Sequence, residues 1–365
     1  MTTADHPAAE HPAIDHPDAD PRLRRLLGLT HPIVQGPFGG GLSSVALAAA
    51  VADTGGLGSY GAHILQPDEI TALVAELRSA TRGAFAVNLW VPQPGESELR
   101  LTEDQLAQHA RRLRLLPAEL TTDLPEHPEP APDFAEQVEA LLAAAPPAVS
   151  FVMGIPPQWV LDRARAAGIV TIGTATTVDE AVALEAAGLD VVVASGSDAG
   201  GHRGSFLRPV AESLVGTFSL VPQVADAVRI PVVAAGGIAD ARGVAAARTL
   251  GAAAVQIGTG FLATAESGAS AVHKAALGSP EARTTVLTRL FSGRPARGIP
   301  NRLVRDLAAH EHEVPPYPLQ NALMLPIRRA AAAQGRSDYV NLWAGQAASL
   351  TRPRTARDYI EHVLK

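Results

Sequence analysis

Short apolar runs recur along the chain, each closing on glycine or a small polar residue. They cover 31–35, 57–62, 85–91, 148–154, 169–175, 191–196, 231–238 and 254–262. Most carry no polar alternation, which is the pattern of strands buried on both faces. Alanine-rich stretches with helical spacing lie between most of them, at 44–54, 67–78, 158–167, 178–187, 212–228 and 239–250. Such alternation predicts an α/β fold with a parallel sheet covered by helices. Eight units predict closure into a (β/α)8 TIM barrel. An open doubly wound sheet is the alternative, but no GxGxxG follows the first strand. Helix ends agree with this reading: Asp179 and Glu180 open one helix and Gly188 closes it.

Two stretches break the alternation. Residues 93–146 read as an insertion after the third strand, with helices near 102–115 and 133–145. The Pro- and acid-rich patch between them, 116–133, reads as solvated surface. Residues 266–365 read as a mostly helical second domain over or beside the mouth of a 23–265 barrel. Residues 1–22 read as a disordered tail. Its His6, His11 and His16 each precede proline, with no frame to converge them on a metal.

Composition narrows the function classes. Of 365 residues 47% are hydrophobic but only 4% aromatic, so the core must be built from Ala, Val, Leu and Ile. The net charge of −7, with no basic stripe, argues against a nucleic-acid partner. Cysteine is absent, which excludes disulfides, thiol catalysis and Cys-ligated metal and suits the cytoplasm. The N-terminus has no secretory h-region, and no apolar segment approaches the ~20 residues of a membrane span. Alanine-rich helix faces suit a monomer or a homodimer.

In an α/β barrel, reactive groups lie at the carboxyl ends of strands. These ends hold Gln35 to Gly41, Asn88-Leu89-Trp90, the glycine-rich stretch bearing His202 and Arg203, Ala235 to Ile238, and Gln256 to Gly260. His202 is placed for proton transfer. Arg203 could draw in an anion or pair at the surface, and Asp198 could orient its loop. Gly236-Gly237 and Gly258-Thr259-Gly260 can turn amides and one hydroxyl onto a phosphate. There is no Walker A motif and no acidic metal cluster, so a phosphate-bearing cofactor held through backbone is expected. FMN fits. PLP would need a Schiff-base lysine, and the only lysines are Lys274 and Lys365.

The chain resembles the nitronate monooxygenase family, formerly the 2-nitropropane dioxygenases. The matching pieces are Gln35-Gly36-Pro37-Phe38-Gly39-Gly40, Asn88, Asp198 to Gly204, Ala235 to Ile238, Gln256 to Gly260, Ser292 to Gly298 and Leu342 to Gln346. The resemblance implies an FMN-bound barrel oxidising alkyl nitronates or nitroalkanes with O2 to a carbonyl compound and nitrite. It implies a catalytic His202 and a cofactor held by Asn88, Gly200, Gly201, Gly236, Gly237, Gln256, Ile257, Gly258 and Thr259. Ser195 stands at the flavin where many members have glutamine. Phe38, where methionine is common, and Trp90 would wall the substrate pocket. The related alternative is an FMN-dependent NAD(P)H reductase acting on an enoyl-acyl-carrier protein or a quinone. A non-catalytic flavin-binding protein would leave the histidine idle, and an inosine-phosphate-type dehydrogenase would need a cysteine.

Overall fold

The computed structural model describes residues 19–121 and 131–365. The tail histidines and the middle of the acidic patch lie outside these residues. The eight expected strands are present as β1 (Ile33–Gln35), β2 (Gly58–Gly61), β3 (Phe85–Trp90), β4 (Ala148–Val152), β5 (Val170–Ala175), β6 (Val191–Ser195), β8 (Val232–Ala235) and β9 (Ala254–Ile257). All pair in parallel, in the order β1-β9-β8-β6-β5-β4-β3-β2. A parallel bridge between Val34 and Leu57 joins the two ends of this order into a barrel. The eighth strand ends earlier than its apolar run suggests: Gly258 breaks the extended backbone, and Thr259–Leu262 turn into a helix.

Alternation along the strands divides the core. Val34, Leu57, Ala86, Ala148, Val170, Ile172, Val191, Val193, Val233, Ala235 and Ala254 form one cluster drawn from the whole ring, which is the barrel interior. The helix Pro21–Leu27, begun by Asp20, adds Leu23 to that cluster and plugs one end. It starts inside the segment read as tail. The alternate residues, such as Val192, Ala194, Val232, Ala234, Val255 and Ile257, pack outward against the helices. Fully burying each such aliphatic side chain contributes roughly 1.5–3 kcal/mol.

The helices form where their caps specify them. Ser44, Thr177 and Asp240 each accept backbone N–H groups at the starts of Val45–Asp53, Val178–Ala187 and Ala241–Thr249. Gly188 ends its helix in the left-handed region, at φ 94°.

The two irregular stretches are organised differently from expectation. Phe134–Ala144 packs against Pro67–Ala80 and belongs to the ring of barrel helices, so it is not part of an excursion. Glu103–Leu113 is the excursion, and Leu113, Leu116 and Leu120 join the core of the C-terminal part. That part is also not purely helical. Strands β10 (Val286–Thr288) and β11 (Ala296–Gly298) form an antiparallel sheet with β7 (Gly201–His202). Finally, Ala356–Val363 returns to the barrel, packing on Val45–Asp53 and Ala241–Thr249 as the last ring helix. Tyr359 anchors it by donating to the Ala239 carbonyl, 2.9 Å away. The chain leaves the barrel at Thr264 and re-enters at Arg354, and these two residues are bridged. What lies between, with Glu103–Leu113, is a cover.

Among the described residues, no helix is long and apolar enough to cross a membrane.

Candidate active site

The alternation that fills the barrel with aliphatic residues carries on upward into polar ones. One step beyond the interior cluster, the inward positions are Ser59, Asn88, Ser150, Thr174, Ser195 and Gln256. A polar layer thus sits on an apolar plug at the carboxyl ends of the strands, where α/β barrels place their chemistry. Asn88 donates to the Ser150 carbonyl and hydroxyl at 3.1 and 3.0 Å, while its own Oδ1 is buried with no partner. A buried acceptor without a donor costs about 1–3 kcal/mol unless something supplies the proton.

Beside this layer lie the two glycine clusters. Gly236 and Gly237 hold φ of 112° and 70°, the left-handed side of the map that suits glycine. A side chain at Gly236 would run into Thr217 Oγ1 and the Ala199 amide. The amides of Gly236, Gly237 and Gly258 make no hydrogen bond to another described residue. The backbone at Gly36 and Gly258 approaches so closely that a Cβ on Gly36 would lie 3.1 Å from the Gly258 Cα, and Phe38 covers both. Ile257 points outward into the helix layer, so only its backbone can reach a ligand. Thr259 Oγ1 accepts the Gly345 amide at 2.9 Å, tying this end of the site to the cover. An orphaned acceptor on Asn88 and unbonded amides at two adjacent strand ends fit a cofactor with a polar ring system and a phosphate.

His202 is reached differently from the expected loop. It lies on β7, and its register partner Ala296 belongs to the cover. Its Nε2 is 2.8 Å from Ser292 Oγ. Around the imidazole stand Trp90, Trp343 and Tyr317, with ring centroids 4.9, 5.4 and 6.3 Å away. Trp90 is itself stacked on His63, at 3.7 Å and nearly parallel, and tilted against Tyr317 at 5.4 Å. Burial holds the His202 pKa well below the usual histidine range, and the neighbouring His63, Arg294 and Arg328 push it the same way. Burial alone lowers His63 to about 3. Both rings are therefore uncharged at neutral pH.

Two arginines lie near the imidazole, and the carboxylate of Glu96 opposes the charge of one of them, Arg294. Among the described residues, Arg328, on the helix Leu319–Ala333, is bonded only to the Met324 carbonyl and to the carbonyl and side chain of Asn321. It makes no ion pair among the described residues. Burial lowers its pKa to about 10, so it keeps its charge. Arg294 donates to the carbonyls of Arg203 and Ser205 at 3.1 and 2.7 Å.

Several sequence-derived residues make contacts within the protein. Arg203 is neither at the surface nor aimed at a substrate. It is 1% exposed and clamps the carbonyls of Gly196 and Ser195 at 2.7 and 2.9 Å. Asp198 accepts the Thr217 amide, an orienting contact. Gly200 has no Cβ because Ala344 and Gly345 of the cover press against it. Gly201 adopts φ 75° in open space as β7 begins. Asn88, Ser195, Gln256 and the Gly236–Gly237 and Gly258–Thr259 turns converge on the strand ends, while Trp90 and His202 meet beside them. His63 was missed, although it lies two residues past β2 and the strand-end rule would have reached it. Tyr317 and Arg328 had no local signal, because only the folding of the cover brings them here.

Comparison with known proteins agrees with this geometry. A solved structure described as nitroalkane oxidase from Streptomyces ansochromogenes superposes with a TM-score of 0.85 at 41% identity, covering 94% of this chain and 96% of that one. FabK from Thermotoga maritima superposes with a TM-score of 0.73 at 31% identity, covering 94% of both chains. A probable nitronate monooxygenase of Staphylococcus saprophyticus is 39% identical over 349 residues, covering 94% of this chain and 96% of the relative. The family model for nitronate monooxygenase matches residues 20–365. With a barrel, a polar strand-end layer and a cover that together match along nearly the whole chain, the protein belongs to the nitronate monooxygenase family.

Proposed function

We propose that this member of an oxidoreductase family uses FMN to oxidise alkyl nitronates or nitroalkanes with O2, giving a carbonyl compound and nitrite. The observation that carries the reading is His202, enclosed by three aromatic rings beside the half-buried guanidinium of Arg294 and the buried one of Arg328. Such a pocket accepts a small apolar chain and attracts a delocalised anionic head, which describes a nitronate.

FMN would be held by Asn88, Ser195, Gln256 and the backbone of Gly200, Gly201, Gly236, Gly237, Ile257, Gly258 and Thr259. When bound, it supplies the redox chemistry that the side chains lack. Phe38, lying over Gly36 and Gly258, walls the cofactor end of the pocket, and Trp90 walls the substrate end.

The protein's own part is binding, orientation and proton handling. Arg294 and Arg328 stabilise negative charge on the nitro oxygens. The aromatic rings exclude water. His202, with its lone pair free at neutral pH, removes the α-proton when the substrate arrives as a neutral nitroalkane. A substrate that arrives as nitronate needs no such step.

The test uses the purified chain loaded with FMN and mixed with propyl-2-nitronate in air. Oxygen uptake with nitrite and acetone formation is expected. No oxygen uptake with either the nitronate or its nitroalkane, combined with bleaching of the flavin by NADPH, would replace this reading with the nicotinamide-dependent reductase. The chain would act as a monomer or homodimer on small molecules.

A further inference from the structure

Ser292 has no role in the scheme so far, yet its hydroxyl settles a question about His202. The serine is completely buried. Its Oγ lies 2.8 Å from His202 Nε2 and 3.1 Å from the carbonyl oxygen of Arg294. A hydroxyl carries one proton, and a carbonyl can only accept one. The arrangement that satisfies both contacts spends the Ser292 proton on the Arg294 carbonyl and leaves a lone pair facing the imidazole. The Arg294 amide, 3.5 Å away, is a second and longer donor to the same oxygen. In that arrangement Nε2 supplies the hydrogen in its contact with Ser292. A neutral imidazole has one N–H, so Nδ1 carries the free lone pair. That atom has no protein partner among the described residues, and it keeps accessible surface, whereas the Nδ1 of His63 is sealed in.

We propose that Ser292 is a positioning residue that locks His202 as the Nε2–H tautomer and so makes Nδ1 the atom that takes a proton from the substrate. The inference rests on the reading of His202 given above. It is strengthened by how both partners are held. His202 pairs with Ala296 on β11, four residues beyond Ser292, so the register of one small sheet fixes both ends of the contact. The groups facing the imidazole are His63, Arg294, Arg328 and Tyr317. None is a carboxylate, so nothing competes with Ser292 for the Nε2 hydrogen. In the step itself, the α C–H bond of a nitroalkane breaks and its electron pair passes into the nitro group, forming the nitronate. The proton bonds to Nδ1, while Nε2–H stays on Ser292. Solvent later takes the Nδ1 proton back.

The experiment is a long-range proton–nitrogen correlation spectrum of the FMN-loaded full chain carrying 15N-histidine, with His202 assigned from a His202→Asn sample. In the unaltered protein, a protonated Nε2 and an unprotonated Nδ1 are expected. Ser292→Ala should give a mixture of tautomers, and Ser292→Thr should restore the single one. In parallel, Ser292→Ala should lower kcat/KM for nitroethane about tenfold or more and change that for ethyl nitronate less than about twofold. A protonated Nδ1 in the unaltered protein overturns the proposal, whether or not the variants fold. So does a tautomer indifferent to Ser292→Ala, or an equal loss on both substrates. An unaltered enzyme that oxidises ethyl nitronate but not nitroethane overturns the base role. If it oxidises neither, the functional reading fails while the spectrum still decides the tautomer.

Discussion

The barrel and the cover each bring one histidine to Trp90, and the two imidazoles are treated in opposite ways. His63, carried by the barrel just past β2, is stacked flat on the indole with its Nδ1 sealed and unpaired. His202, held by the sheet that joins the barrel to the cover, meets the indole edge-on and has a hydrogen-bond partner in Ser292. Burial makes both neutral, but only the second has a side-chain partner that orients it. A partner that fixes one nitrogen of an imidazole leaves the other as the defined place for a proton.

The strongest way to break this contrast is to exchange the fates of the two rings. His202→Asn should lower turnover of nitroethane by about 100- to 10,000-fold, the range for losing a general base. His63→Phe, which preserves a flat ring against Trp90, should cost far less. Steady-state oxygen uptake would measure both, and equal losses would end the distinction.

The next largest effect concerns the strand end that supports β7. Arg203→Met should destabilise the protein by about 3 kcal/mol, because two buried carbonyls lose charge-assisted bonds. Urea unfolding monitored by circular dichroism would read the change, and a loss below about 1 kcal/mol would show that the clamp is dispensable.

Acid should expose the buried histidines as a group. His63, His109 and His273 are lowered to about 3, 4 and 4, and His202 lies well below its usual value. Above about pH 6.5 folded and unfolded chains alike hold these rings neutral, so their contribution is complete there. Between about 6.5 and 4 the unfolded chain takes up protons that the folded one refuses, so stability falls as pH falls. The loss should reach several kcal/mol by about pH 4, and His63→Phe should make the slope shallower. Unfolding midpoints measured across this window that do not move would contradict the burial argument.

The smallest effect tests how the excursion is attached. Glu119 and Arg336 approach at 3.8 Å on the surface. Glu119→Gln should change stability by less than about 1 kcal/mol, because exposed pairs gain little in water. Leu120→Ala, which removes a side chain 2% exposed in the cover core, should cost about 2–4 kcal/mol in the same assay.

The same division governs how much the sequence discloses. Each barrel unit is written locally: a β-branched run, a small residue, a cap and a helix. The eight strands and the polar residues at their ends, Asn88 and Gln256 among them, could be placed from those signals. The cover has no such grammar. Val286–Thr288 and Ala296–Gly298 are too short to show a period, and the second of them pairs with a two-residue strand some ninety positions away. His202 was legible as a residue type in a suggestive place, but its partner was not. Arg203 shows the converse error, because a charged residue in a glycine-rich segment looks exposed until the fold wraps it in carbonyls. Ala356–Val363 misled by position alone, since its place in the ring is set by Tyr359 reaching Ala239 and not by chain order.

The bridge between Thr264 and Arg354 makes the cover modular. Its two ends meet, so most of it could be exchanged for another segment through a short linker while the ring of strands and helices still closed. The residues proposed to hold the cofactor belong largely to the ring, and many of those proposed to meet the substrate belong to the exchangeable part. A lineage could therefore change what the enzyme oxidises while inheriting unchanged the means of oxidising it.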